Sequence, residues 1–156
     1  MKKQRKYFFI SFLISIIFIA CNFQNDTIVK ASTDEILNTD MEFSTMSRQV
    51  GMKKAFLQYM DDEAILLRPD NKPVIGADAI DFISILEDST YTLTWRPSGA
   101  QIASSGDLGF TFGIYTLLLP DTTLTGTYVN VWKKKSNGEW KFVLNSNNPG
   151  TVPTEP

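Results

Sequence analysis

The sequence predicts an α+β domain in which N-terminal helices pack on one face of a curled antiparallel sheet. Three observations carry this. Apolar residues recur at near-helical spacing from Ile36 to Leu86. From Ser89 onward the pattern changes to short alternating runs separated by turn residues. Asn137-Gly138 then sits between two such runs, the strongest short-range signal for a β-hairpin. Helices first and strands afterwards is the order expected of helices covering one side of an antiparallel sheet. At 156 residues the chain has the length of one domain.

The elements follow in order. Ser32-Thr33-Asp34-Glu35 offers an N-cap with acids in the first turn, which suits the helix dipole. Ile36, Leu37, Met41, Phe43 and Met46 form an approximate helical stripe running to Val50, where Gly51 is a plausible stop. A second short helix spans Met52 to Met60, with Ala55, Phe56 and Tyr59 on its apolar side. Ala64 to Leu67 reads as a strand within Asp61 to Leu67, and the prolines of Arg68 to Pro73 make a turn. Val74-Ile75-Gly76 leads into a third helix, Ala77 to Leu86. Tyr91 to Trp95 is a half-buried strand, continued by Gln101 to Ser104 after a break at Pro97-Ser98-Gly99. Leu108 to Leu119, Leu124 to Lys135 and Glu139 to Ser146 are the remaining strands. The segment Asn147 to Pro156, with three prolines, reads as a largely disordered tail.

The first twenty residues differ from the rest. Lys2, Lys3, Arg5 and Lys6 are followed by Tyr7 to Ala20, an almost wholly apolar run of about 14 residues. That is the length of a signal h-region and is short for a spanning helix, which needs about 20. The chain's single cysteine closes this run. Phe18-Ile19-Ala20-Cys21 resembles the lipobox of bacterial lipoproteins, in which a small residue precedes a cysteine that is lipidated before cleavage. Phe18 departs from the aliphatic residue usual there. The expected organisation is a signal peptide over 1–20, lipidated Cys21 and a polar linker over 21–32, the domain over 33–149 and a tail over 150–156. A diacylglyceryl group on Cys21 would tether the domain to a bilayer, because two acyl chains hold where one is marginal. The expected location is the extracytoplasmic face of a membrane in the cell envelope.

Without its leader the chain has eleven basic and seventeen acidic residues, a net charge of −6. That balance argues against nucleic-acid binding. The Lys133-Lys134-Lys135 run suits a solvated strand end better than a phosphate site. With Cys21 used for lipidation, no cysteine remains for a disulfide, so the fold must rest on its core.

Treating Asn137-Gly138 as a two-residue loop sets a register. Lys134 then faces Lys141, Trp132 faces Val143 and Asn130 faces Asn145. One side of the hairpin carries Tyr128, Asn130, Trp132, Val143 and Asn145; the other carries Val129, Val131, Phe142 and Leu144.

Several blocks resemble the SnoaL-like, nuclear transport factor 2-like superfamily and its secreted members. They are Tyr59-Met60-Asp61-Asp62-Glu63-Ala64-Ile65-Leu66-Leu67-Arg68-Pro69, Val74 to Ile80, Ser105 to Gly109, Gly126 to Lys134, and Gly138-Glu139-Trp140-Lys141-Phe142-Val143. Each block is weak alone; their order and spacing point to the fold, a cystatin-like or ketosteroid isomerase-like cone. The resemblance implies that the residue ending the last strand points into the cone, where several enzymes of the superfamily keep a catalytic Asp or His. Here that position is Asn145. An amide donates and accepts hydrogen bonds but is no useful general base.

The chain has no histidine, so the commonest general base, imidazole metal ligands and a Ser-His-Asp triad are absent. With its one cysteine at the lipobox, thiol chemistry and thiolate metal sites are not expected, and no metal or cofactor is. Asp61 and Asp62, between a helix and a strand, are the candidate catalytic carboxylates if burial raises a pKa; solvated turn acids are the simpler alternative. Asp107 beside Gly106 reads as a turn residue. Tyr59, Trp95, Tyr115, Tyr128, Asn130, Trp132 and Asn145 are the candidate ligand-binding residues, with plain packing the alternative for the aromatics. Two functions stay open. One is a pocket that binds a small apolar or amphipathic molecule, or a sheet that pairs with a protein partner, including a second copy. The other is an isomerase- or hydrolase-like enzyme using Asp61 or Asp62 with tyrosine donors.

Overall fold

The structure is a computed structural model that describes residues 32–150. The leader, Cys21, the linker before Ser32 and residues 151–156 lie outside the described residues. Helix α1 (Thr33–Val50) begins where the Ser32 side chain accepts a hydrogen bond from the Glu35 amide. It ends at Gly51, whose φ of 97° lies in the region where a side chain would be strained. Helix α2 (Met52–Tyr59) runs directly into β1 (Met60–Leu67). The two-residue strand β2 (Val74–Ile75) precedes α3 (Ala77–Ser84), and then come β3 (Thr92–Ile102), β4 (Leu108–Leu118), β5 (Thr123–Lys134) and β6 (Trp140–Pro149).

The six strands form one sheet in the order β2-β1-β6-β5-β4-β3. All pairs are antiparallel except β1 with β6, which run parallel. The expected α+β architecture, helices against one face of a curled sheet, is therefore the one observed. The break expected at Pro97-Ser98-Gly99 is a bulge within one continuous strand, β3. The last strand reaches Pro149, with Asn147 opposite Tyr128, so Asn147 and Asn148 are strand residues and not tail.

The hairpin register needs two corrections. The connection is a three-residue turn, Ser136-Asn137-Gly138, closed by Lys135 and Glu139, with Gly138 at φ 88°. Trp132 consequently faces Phe142, and a bulge at Val143 shifts the strands back so that Asn130 does face Asn145. Trp132 and Phe142 both lie fully buried against the helices. Phe142, not Val143, is thus the neighbour of Trp132 on the concave face.

Phe43 on α1 is the centre of the core. Its ring lies 4.4 Å from Trp95, 5.0 Å from Phe56 and 5.6 Å from Phe142. The buried stripe of α1 is Ile36, Asp40, Phe43, Ser44 and Ser47, whereas Met41 is exposed. Three of those five positions are polar, and each has a specific partner on the sheet. Strand β3 is an edge strand, and its outer edge meets α1. The Ser44 hydroxyl donates to the Trp95 carbonyl at 2.7 Å and accepts the Trp95 amide at 2.8 Å. One turn on, the Ser47 hydroxyl donates to the Leu93 carbonyl at 2.7 Å. The serines take the place of a neighbouring strand for the Trp95 amide and carbonyl and for the Leu93 carbonyl.

Candidate functional site

A cavity of about 210 Å³ lies between the concave face of the sheet and helices α1, α2 and α3. Its apolar wall comes from Phe43, Met52 and Phe56 below, Ile83 and Leu86 at α3, and Leu93 and Leu117 on the sheet. Aromatic side chains Tyr91, Trp95, Tyr115 and Tyr128 add amphipathic surface. The polar lining is confined to Arg68, Asn130, Asn145 and Asn147. A mostly apolar concavity with a few convergent polar groups is the usual form of a small-molecule site.

Behind this wall lies a fully buried carboxylate, Asp40. Its Oδ1 accepts from Trp95 Nε1 at 2.9 Å and from Asn130 Nδ2 at 3.0 Å, and its Oδ2 accepts from the Tyr128 hydroxyl at 2.6 Å. Asn130 Oδ1 in turn accepts from Asn145 Nδ2 at 2.6 Å. Desolvation raises the Asp40 pKa above its ordinary value, and the hydrogen bonds from Tyr128, Trp95 and Asn130 oppose that rise. Burial, with Asp40 beside it, pushes the Tyr128 phenol upward, so Tyr128 stays protonated and donates. The network fixes four lining side chains, Trp95, Tyr128, Asn130 and Asn145, from behind. Separately, the buried Thr111 Oγ1 accepts from Trp132 Nε1 at 2.8 Å.

Glycine completes the wall. Gly126 lies beneath the Tyr115 ring, and a Cβ there would come within 2.5 Å of the Tyr115 hydroxyl oxygen and also run into the Asn148 carbonyl. The missing side chain is what lets Tyr115 lie over β5 beside the cavity.

Of the residues expected at a ligand site, Trp95, Tyr115, Tyr128, Asn130 and Asn145 line this cavity. Tyr59 and Trp132 do not. Tyr59 stacks on Phe43 at 4.9 Å, and Trp132 is buried against Phe142. Asp61 and Asp62 also lie away from the cavity. Asp61 Oδ2 is paired with Lys135 Nζ at 2.7 Å, and that hydrogen bond holds the carboxyl below its ordinary pKa. A base with a raised pKa is therefore not found at Asp61, and Asp62 is exposed to solvent. The carboxylate whose pKa burial does raise is Asp40, which sequence patterning misses because an acid inside an amphipathic stripe reads as a break in it. The available signal is its spacing, four residues after Ile36 and three before Phe43.

Arg68 and Asn147 are lining residues with a charged or amide head that the sequence reading does not single out. Arg68 Nη1 donates to the backbone carbonyls of Leu67 and Asn145, at 3.0 and 3.3 Å. Its pKa is pushed down to about 10 by desolvation, with no anion acting against that. Asn147 Oδ1 is buried without a donor among the described residues. No group of three or more acidic residues among the described residues is placed to hold a metal ion.

A helix-backed curled sheet with a cavity on its concave side defines a class of α+β cone domains, and comparison with solved structures places the chain more closely. It has the nuclear transport factor 2-like, ketosteroid isomerase-like fold, also described as cystatin-like. A provisionally assigned ketosteroid isomerase from Parabacteroides distasonis superposes with a TM-score of 0.61 at 16% identity, over 86% of this chain and 98% of that one. A ketosteroid isomerase-like protein from Erwinia carotovora atroseptica gives 0.60 at 12% identity, over 82% and 99%. A domain of unknown function with a cystatin-like fold from Nostoc punctiforme gives 0.61 at 13%, over 78% and 79%. No family model and no curated protein sequence matches the chain.

Proposed function

We propose that the chain is a membrane-tethered, exported binding protein whose cavity holds a small apolar or amphipathic molecule. The observation that carries this is the state of the cavity's polar groups. Asp40 and Tyr128 are bonded to each other at 2.6 Å, and Asn130 spends both its Oδ1 and one N–H on neighbours. These groups stiffen a wall; none is a carboxylate turned toward a substrate. Asn145 Oδ1 remains available to a ligand, and an apolar body would rest on Phe56, Leu86, Leu93 and Leu117. The neighbours' fold, and the description of one as ketosteroid isomerase-like, is consistent with a small-molecule site. The tether rests on the Ala20-Cys21 ending of the short apolar leader.

Native mass spectrometry of the mature chain purified from cells tests the pocket. A small-molecule adduct should be present and should vanish when Leu117→Trp fills the cavity. An adduct that survives that substitution would place binding elsewhere. Cys21→Ser tests the tether: it should abolish palmitate labelling, and labelling unchanged in the variant would refute lipidation at Cys21.

A further inference from the structure

We propose that the ligand is an apolar monocarboxylate, with its carboxylate seated on Arg68 and its body along the wall of Leu86, Leu93 and Leu117. This rests on the binding reading above and specifies its ligand. Arg68 is the one charged residue among those that line the cavity. A guanidinium has five N–H donors in a fixed fork. Among the described residues Arg68 uses only Nη1, and both acceptors are backbone carbonyls. The two ion pairs among the described residues are Lys134–Glu35 and Lys135–Asp61, so Arg68 belongs to neither. A half-buried guanidinium without an anion is costly, and the desolvation felt at Arg68 is the expression of that cost. Burial is ordinarily relieved by a paired carboxylate, and the fork of Nε and Nη2 matches a carboxylate in two parallel hydrogen bonds.

The surroundings choose the class. Asn147 lies two residues beyond Asn145 on β6, and its side chain has no hydrogen bond among the described residues. Turning that amide would offer an N–H to the same anion at no loss of a bond. A phosphate dianion would need a second cation, and none lines the cavity. The rest of the lining is apolar or aromatic, and a volume of about 210 Å³ suits a short acyl or aryl body. The molecule's acidic balance makes the contrast sharper, since this is a positive point within a domain rich in acids.

Calorimetric titration of the mature chain with octanoate, octanol and octylammonium distinguishes the head group at constant tail. Octanoate should bind about 10- to 100-fold more tightly than octanol, the ratio expected of one charge-assisted hydrogen-bonded pair. Octylammonium should bind more weakly than octanol. Arg68→Met should lower octanoate affinity to about the level of octanol on the unsubstituted chain. Equal affinities for octanoate and octanol, or a preference for octylammonium, would overturn the carboxylate assignment and leave the apolar pocket standing. Absence of binding by all three would overturn both. The head-group comparison on the unsubstituted chain decides the matter even if Arg68→Met does not fold.

Discussion

Asp40→Asn exchanges the buried carboxylate for an amide of the same shape. Asp40 accepts three side-chain hydrogen bonds, from Trp95, Asn130 and Tyr128. The two bonds at Oδ1 fall from the charge-assisted range of about 1.5–3 kcal/mol to the neutral range of about 0.5–1.5 kcal/mol, and at Oδ2 an amide NH2 replaces the acceptor of the Tyr128 hydroxyl. The substitution also removes the desolvation of the buried charge, which outweighs the charge assistance of those bonds, because folding raises the Asp40 pKa. What remains is the Tyr128 hydroxyl without its acceptor, a destabilisation of about 1–2 kcal/mol near neutral pH. The pH dependence is more diagnostic than the size. Folding raises the Asp40 pKa above 3.8, so the folded state holds this proton more tightly than the unfolded chain does. The contribution of Asp40 is therefore fully present below the unfolded pKa and is lost as pH rises through the folded one. Asparagine does not titrate, so the stability gap between the parent and Asp40→Asn should be widest in acid and narrow as pH rises. Urea unfolding followed by tryptophan fluorescence, from about pH 4 to about pH 8, measures that gap. The carboxyls that folding lowers, such as Asp61, act in the opposite direction but cancel in the difference, because they make no contact with the network. A gap that is constant or widens with pH would refute the account of Asp40.

Three further outcomes follow from the packing. Ser44→Ala should cost about 2–4 kcal/mol, because it leaves both the amide and the carbonyl of Trp95 buried and unpartnered; a change under about 0.5 kcal/mol in urea unfolding would show that water replaces the hydroxyl. Trp140→Ala should cost about 3–5 kcal/mol, since the indole is buried in the core cluster, and an unchanged melting temperature would contradict that. Gly126→Ala should cost about 1–3 kcal/mol by forcing β5 away from the Asn148 carbonyl and the Tyr115 ring. A crystal structure of that variant with Tyr115 undisplaced would remove Gly126 from the construction of the wall.

Much of the fold is legible in the sequence because its elements obey simple periods. The Ser32 cap, the Gly51 stop and the switch to alternation after Ser89 mark α1 and the start of the sheet region without any tertiary information. The pairing of Asn130 with Asn145 is also reached, but by two errors that cancel. A three-residue turn displaces the register by one, and the bulge at Val143 restores it. Between those two points, at Trp132 and Phe142, the expectation fails. Turn length and bulges depend on local backbone conformation that Asn137-Gly138 alone does not specify. Asp40, Arg68 and Asn147 were hidden for a different reason. A buried polar residue is defined by partners far along the chain, such as Asn130 for Asp40, ninety positions away. Periodicity reports which face a residue occupies, not what waits there to satisfy it.

The central claim is that the cavity on the concave face, and not the outer face of the sheet, receives the ligand. Methyl NMR of the mature chain titrated with octanoate tests it directly, because the two faces carry separate reporters. Ile83, Leu86, Leu93 and Leu117 line the cavity, while Ile114 and Leu118, which alternate with Leu117 along β4, are exposed on the opposite face. The account predicts saturable shifts at the first group and none at the second. Shifts at Ile114 and Leu118 with the cavity methyls unmoved would contradict it.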